Sequence, residues 1–204
     1  MRRPPSGLLA EGAPELTPRP GLGHARELLA GWRAPDAERE RLRLQTLAFL
    51  AEHPEDGHRR SCPAGHLVAS GLVLDAAGGR FLLALHRKLG RWLQLGGHCD
   101  GDANLAAVAL RECREESGLD GLAVDPVPVD LDVHRVPARP GEPAHLHYDV
   151  RFLVSAPPAS SSGSRAVASA ESRAVRWFRA ADLATLDTDD SVRRLVAAAL
   201  QTSG

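Results

Sequence analysis

The chain has little of what would tie it to an oxidising compartment, a membrane or a nucleic acid. Its three cysteines, Cys62, Cys99 and Cys113 in 204 residues, make neither a disulfide framework nor a zinc spacing, and they fit a reducing setting. No apolar run approaches the roughly 20 residues of a helical membrane span. The opening Met1-Arg2-Arg3-Pro4-Pro5 lacks the apolar segment of a signal peptide. A cytoplasmic location is the expectation. Net charge is nearly absent: 25 basic and 26 acidic residues leave a formal charge of -1. That excludes the global basic field of a nucleic-acid binder. Lysine is reduced to Lys88 among many arginines, a bias that fits a GC-rich coding sequence better than a chemical role. No internal repeat is evident.

Residues 1–20 are rich in proline and glycine and without periodicity, so they are expected to be disordered or loosely packed. A helical extension is expected over 21–60. Its first helix runs from His24 to Trp32, with Leu28, Leu29 and Trp32 on one side. Its second begins at Pro35-Asp36 and carries Leu42, Phe49 and Leu50 in one stripe. This extension either packs on the main domain or forms a homodimer contact. The pattern then changes to strands: Leu67–Leu74 and Phe81–Leu85 around an Asp75–Gly79 turn, a short Trp92–Leu95 piece, 128–136, 145–154 and Ala174–Phe178. Between them a helix is expected from an Asn104 cap to a Gly118 stop, and Asp189-Asp190-Ser191 caps a closing helix. Strands interleaved with helices imply an α+β domain with helices covering a mixed sheet.

The segment with the most chemistry runs from Gly96 to Leu119. A Gly96-Gly97 turn leads into the helix that carries Glu112, Glu115 and Glu116. Spacings of three and four put the three carboxylates on one helical face. Such a face is ordinarily just solvated. Here it sits near the helix C-terminus, where the macrodipole disfavours negative charge, and the opposite face (Leu105, Val108, Ala109, Leu110, Cys113) is apolar and anchors it. Glycine before it lets backbone approach closely. Hard oxygen ligands on a rigid scaffold suit Mg²⁺ or Mn²⁺.

The same segment closely resembles the Nudix box, G-x5-E-x7-R-E-U-x-E-E-x-G-U with U bulky and aliphatic. Gly97, Arg111, Glu112, Glu115, Glu116, Gly118 and Leu119 fall at matching positions, Cys113 is a soft match, and Ala103 stands where the family has glutamate. The resemblance covers the box directly and, with the flanking strands, Trp177-Phe178 and the closing helix, a wider domain over residues 63–202. It implies a mixed β-sheet between helices. It also implies metal-dependent hydrolysis of a diphosphate linkage in a nucleoside diphosphate joined to another group. Glu112, Glu115, Glu116 and the Gly96 carbonyl would then hold the metal. Arg111 would hold the glutamates, and Glu112 would deprotonate the attacking water. Asp100 and Asp102 are candidates to replace the carboxylate missing at Ala103, and Glu171 is a second candidate base.

Outside the box, His86, Arg87, Lys88 and Arg91 form a basic turn that either binds phosphate or is simply solvated. His98 is expected to face substrate. His134, His145 and His147 fall on adjacent candidate strands; a zinc site needs three or four converging ligands, and the sequence shows no convergence, so they are read as lining the pocket. Two functions stay open: a hydrolase acting on a small nucleotide or other diphosphate, and a Nudix-like binding or regulatory domain with weakened turnover, which Ala103 keeps in play. A prenyl-diphosphate isomerase ranks third, because no suitable cysteine–histidine motif surrounds Cys62.

Overall fold

The computed structural model describes residues 7–77, 79–158 and 172–202. In chain order these form β1 (Leu9–Ala10), α1 (Gly23–Gly31), α2 (Ala37–Glu52), β2 (Gly65–Leu74), β3 (Phe81–His86), β4 (Trp92–Leu93), β5 (Leu95–His98), α3 (Leu105–Ser117), β6 (Ala123–Val124), β7 (Asp130–Val136), β8 (His145–Ser155), β9 (Ser172–Phe178) and α4 (Asp190–Thr202). The fold is α+β, with helices on both faces of a mixed sheet, as the sequence pattern implies.

Every residue of β2 is buried, the signature of a strand covered on both faces. Along one edge β2 pairs in parallel with β8 over its whole length, from Gly65↔Leu146 to Leu74↔Ser155. Along the other edge it pairs with β3 near Leu74 and with β5 through Val68↔His98 and Gly71↔Leu95. The expected single strand from Trp92 to Leu95 is therefore two strands. The chain crosses at Gln94 from pairing with β3 to pairing with β2. Strands β1 and β6, two residues each, pair with one another and are too short to register as periodicity.

Side chains alternate across a strand, and this sorts the core into two parts. Leu67, Ala69, Val150, Phe152 and Val154 pack with α1, α2 and α3. Leu72, Leu74, Leu153, Phe81 and Leu83 pack with α4. The helical extension shares the first core: Trp32 donates to the Pro128 carbonyl at 2.7 Å, and Phe49 stacks on Tyr148 with ring centroids 4.2 Å apart. Asp36 caps α2 by accepting from the Arg39 amide, a contact worth about 1 kcal/mol.

Residues 9–20 depart from the loose tail expected. A short 3-10 turn at Pro14–Leu16 follows β1, and the segment is tied to the chain before α3. Asn104 Nδ2 donates to the carbonyls of Glu15 and Thr17, the Arg19 amide donates to Asp102 Oδ1 at 2.8 Å, and the Ala103 amide donates to the Arg19 carbonyl. These bonds satisfy backbone groups that would otherwise need water. Among the described residues no helix is long and apolar enough to cross a membrane.

Candidate functional site

Local signals set α3. Asn104 accepts from the Ala107 amide at the N-terminus, and Gly118, at φ 65°, ends the helix in the left-handed region that glycine adopts without strain. The apolar face is fully anchored: Leu105, Val108, Ala109 and Cys113 are buried. Cys113 packs its sulfur against β2, where its thiol donates to the Gly71 carbonyl at 3.6 Å and any side chain at Gly71 would collide with it. The soft match at Cys113 thus has a packing reason.

The opposite face presents the glutamates to β5. A Cβ at residue 97 would overlap the Glu112 carboxylate, so glycine is what allows that carboxylate to lie on the strand. The Gly96 amide donates to Glu116 Oε2 at 3.1 Å. Gly96 itself abuts Ser70, whose Oγ would meet any side chain there. Arg111 Nη2 donates both to Glu112 Oε1 at 2.7 Å and to the His98 carbonyl at 2.8 Å. It braces the carboxylate against the strand. Glu115 is exposed on the same helix. Burial pushes the Glu112 carboxyl above its ordinary range, and the Glu115 and Asp100 charges add to this; the Arg111 bond opposes it. A half-buried carboxylate raised in this way is short of positive charge. The donor set is hard oxygen, which fits Mg²⁺ or Mn²⁺.

The other sequence candidates separate. Asp102 Oδ1 accepts from the Arg19 and Asn104 amides. Asp100, at φ 49°, pairs with Arg60 at 3.1 Å. Ala103 is fully buried beneath the Arg19 carbonyl. The basic turn lies on the β3–β4 side of the sheet: His86 Nδ1 accepts from the Leu89 amide, Arg87 donates to the Ser172 carbonyl at 3.5 Å, and Arg91 sits 3.5 Å from Asp187. Glu171 lies outside the described residues.

His98 turns its ring to the face opposite α3, and there the structure gathers what sequence reasoning left apart. The register His66↔His147 on β2 and β8, and His134↔His147 on β7 and β8, aligns three imidazoles across the sheet. His66 is the hub: its ring centroid lies 5.1 Å from His98, 5.0 Å from His145 and 4.8 Å from His147. Burial, then the neighbouring His98 and His145, push His66 down to about 4. Burial and the surrounding imidazoles push His147 well below its usual value. Both rings are neutral near pH 7. His134, His145 and His147 on adjacent candidate strands hinted at this in the sequence; His66 carried no signal without the strand register.

Beside the histidines runs a buried polar network that was also not anticipated. Ser70 Oγ donates to Asp149 Oδ1 at 2.7 Å, Gln94 Nε2 donates to Asp149 Oδ2 at 3.1 Å, and Arg151 Nε donates to Asp149 Oδ2 at 2.7 Å. Arg151 also pairs with Asp130 and Asp132, which bind Arg194 from α4.

Comparison with known proteins bears on the fold and the family. No curated protein matches the chain by sequence. Many solved structures resemble it in fold, two of which illustrate the likeness. A C. elegans Ap4A hydrolase in a binary complex is 17% identical, with a TM-score of 0.51 over 65% of this chain and 93% of that one. A hydrolase of the NUDIX family from Clostridium perfringens is 20% identical, with a TM-score of 0.50 over 66% of this chain and 95% of that one. The family model of the NUDIX domain matches residues 65–199, a span that takes in the glycine turn, α3 and the whole sheet from β2 to β9. The chain belongs to the Nudix family.

Proposed function

We propose that the chain is a divalent-cation-dependent enzyme that cleaves the diphosphate linkage of a nucleoside diphosphate derivative. The observation that carries this reading is the approach of Glu112 and Glu116 to the side-chain-free strand at Gly96-Gly97. Glu112, Glu115 and Glu116, with the Gly96 carbonyl, would hold Mg²⁺ or Mn²⁺. The ion would neutralise diphosphate oxygens and lower the pKa of a bound water.

The chain's own residues do the rest. Arg111 fixes the Glu112 carboxylate and the His98 backbone in one hydrogen-bonded unit. It acts as a positioning residue and touches no reacting atom. Glu112, with its carboxyl raised by burial, is suited to accept the proton of the attacking water. Phosphoryl chemistry asks little more of a protein than position and charge.

A second reading is favoured by one observation. The usual carboxylate at residue 103 is an alanine buried beneath Arg19, which suits a nucleotide-binding domain with weakened turnover. One panel separates the two: ADP-ribose, sugar nucleotides, oxidised nucleotides and dinucleotides such as Ap4A, each with Mg²⁺ or Mn²⁺. Metal-dependent release of a mononucleotide from any member supports the hydrolase. Nucleotide binding without turnover on every member supports the second reading.

A further inference from the structure

We propose that His66, His98 and His147 form a binding site for one divalent cation of the zinc class, separate from the glutamates of α3. Three neighbouring strands contribute one imidazole each, all on the face opposite α3. One ring nitrogen from each lies within 4.8 Å of the other two. A small ion at their centre draws them closer through modest rotations about the side-chain bonds.

His66 supplies the independent observation. It is 1% exposed, and neither Nδ1 nor Nε2 has a hydrogen-bond partner. A neutral imidazole carries one N–H and one lone pair, so both are orphaned here. Leaving a buried polar group unsatisfied costs about 1–3 kcal/mol. An ion takes up the lone pair and supplies a reason for a histidine in a fully buried strand. His145 points the same way. Its Nδ1 lies 2.9 Å from the Pro143 carbonyl, which fixes the hydrogen there and leaves Nε2 as a lone pair. A metal-binding histidine is commonly held by such a bond to a carbonyl. That Nε2 lies 3.3 Å from Nε2 of His147. His145 thus braces His147 from the side; the three rings whose nitrogens converge within 4.8 Å are His66, His98 and His147.

The donor set decides the ion. Imidazole nitrogens suit zinc, copper and nickel, whereas magnesium and calcium prefer oxygen. The glutamates across the sheet have the opposite preference, so the two sites sort their cations by chemistry. They share only the strand between them: Gly97 faces Glu112, and His98, the next residue, faces the histidines. An ion on the histidine side pins β5 to β2 and β8, and so steadies the backbone on which Glu112 and Glu116 rest.

The test uses the full chain stripped by a chelator and titrated with Zn²⁺ or Co²⁺ in millimolar Mg²⁺. One equivalent is expected to bind, with the visible absorption of tetrahedral Co²⁺ and a rise in melting temperature. X-ray absorption of the zinc form is expected to show at least three imidazole nitrogens at ~2.0–2.1 Å. His66→Ala and His147→Ala lose the equivalent, and Glu112→Gln keeps it. The proposal is overturned if folded wild-type protein binds no stoichiometric Zn²⁺ or Co²⁺. It is equally overturned if the bound ion has only oxygen neighbours, or if binding survives in a folded His66→Ala variant. The wild-type measurements stand even if a histidine variant fails to fold, and none of them depends on turnover.

Discussion

The carboxylate of Glu112 occupies the volume that a side chain at Gly97 would fill. The two residues are 15 positions apart in sequence, yet each defines the other. The glycine is needed because a helix carboxylate must lie on the strand. The atoms in conflict are the far end of a flexible side chain, so a Gly97→Ala variant keeps its fold and swings the carboxylate aside. Misplacing a catalytic group by about 1 Å can lower the rate on the order of 10²-fold. Gly97→Ala is expected to lose kcat on that scale and to need more Mg²⁺, with little change in melting temperature. Steady-state kinetics across a Mg²⁺ series, paired with thermal melts, checks this.

Glu112→Gln should lower kcat by roughly 10²–10⁴-fold, the usual range for a lost general base. Its effect on stability runs the other way. The folded protein holds the Glu112 carboxyl above its ordinary pKa, chiefly through burial. Stability linked to the protonated group is therefore complete below the unfolded pKa and is lost as pH rises through the folded one. Without metal, the glutamine variant is expected to melt higher than wild type at neutral pH, and the gap should close on acidification. Saturating Mg²⁺ should raise the wild type and not the variant. Melting curves at several pH values, with chelator or with Mg²⁺, decide the matter. A wild type that melts above the variant in chelator at neutral pH would contradict the charge-strain argument.

The parts of the site legible in the sequence are the local ones. Asn104 and Gly118 mark the ends of α3 because caps act over three or four residues. The glutamates share a face because helical period alone puts them there. What was not legible depends on register and distant contact. His66 joins His147 only through the parallel pairing of β2 with β8. Asp102 meets the Arg19 amide across 83 residues, a contact that no local pattern announces. Gln94 looked like part of one strand, and it is the point where the chain changes partners.

That long-range contact gives a prediction for the departure at Ala103. Asp102 holds two amides, those of Arg19 and Asn104, and each hydrogen bond contributes about 1 kcal/mol. Asp102→Ala is expected to lower stability by roughly 1–2 kcal/mol while kcat stays within about twofold, the small change expected of a residue that touches no reacting atom. A large loss of kcat with unchanged stability would instead make Asp102 the replacement carboxylate. Ala103→Glu should also destabilise, because a carboxylate there must enter a fully buried position beneath Arg19. Denaturant unfolding alongside kinetics separates the two outcomes.

Arg151 is 2% exposed and lies among Asp130, Asp132 and Asp149. Replacing it with methionine keeps volume and apolar stem but leaves buried carboxylates short of a partner. Breaking a buried pair in this way costs about 3–5 kcal/mol, so Arg151→Met should be among the most destabilising single changes in the chain. The pH dependence follows from Asp132. Burial alone would raise its carboxyl, but the His134 hydrogen bond and the Arg151 charge outweigh this and hold it far below the usual range. That stabilisation is present above the unfolded pKa and is lost as pH falls through the folded one. Wild-type stability should therefore decline steadily in acid, and the decline should be shallower in Arg151→Met, where the carboxylate has lost a charge that held it ionised. Urea unfolding of both proteins between neutral and acid pH measures the two slopes. Parallel slopes would mean that Arg151 fills space and does not set the charge state of Asp132.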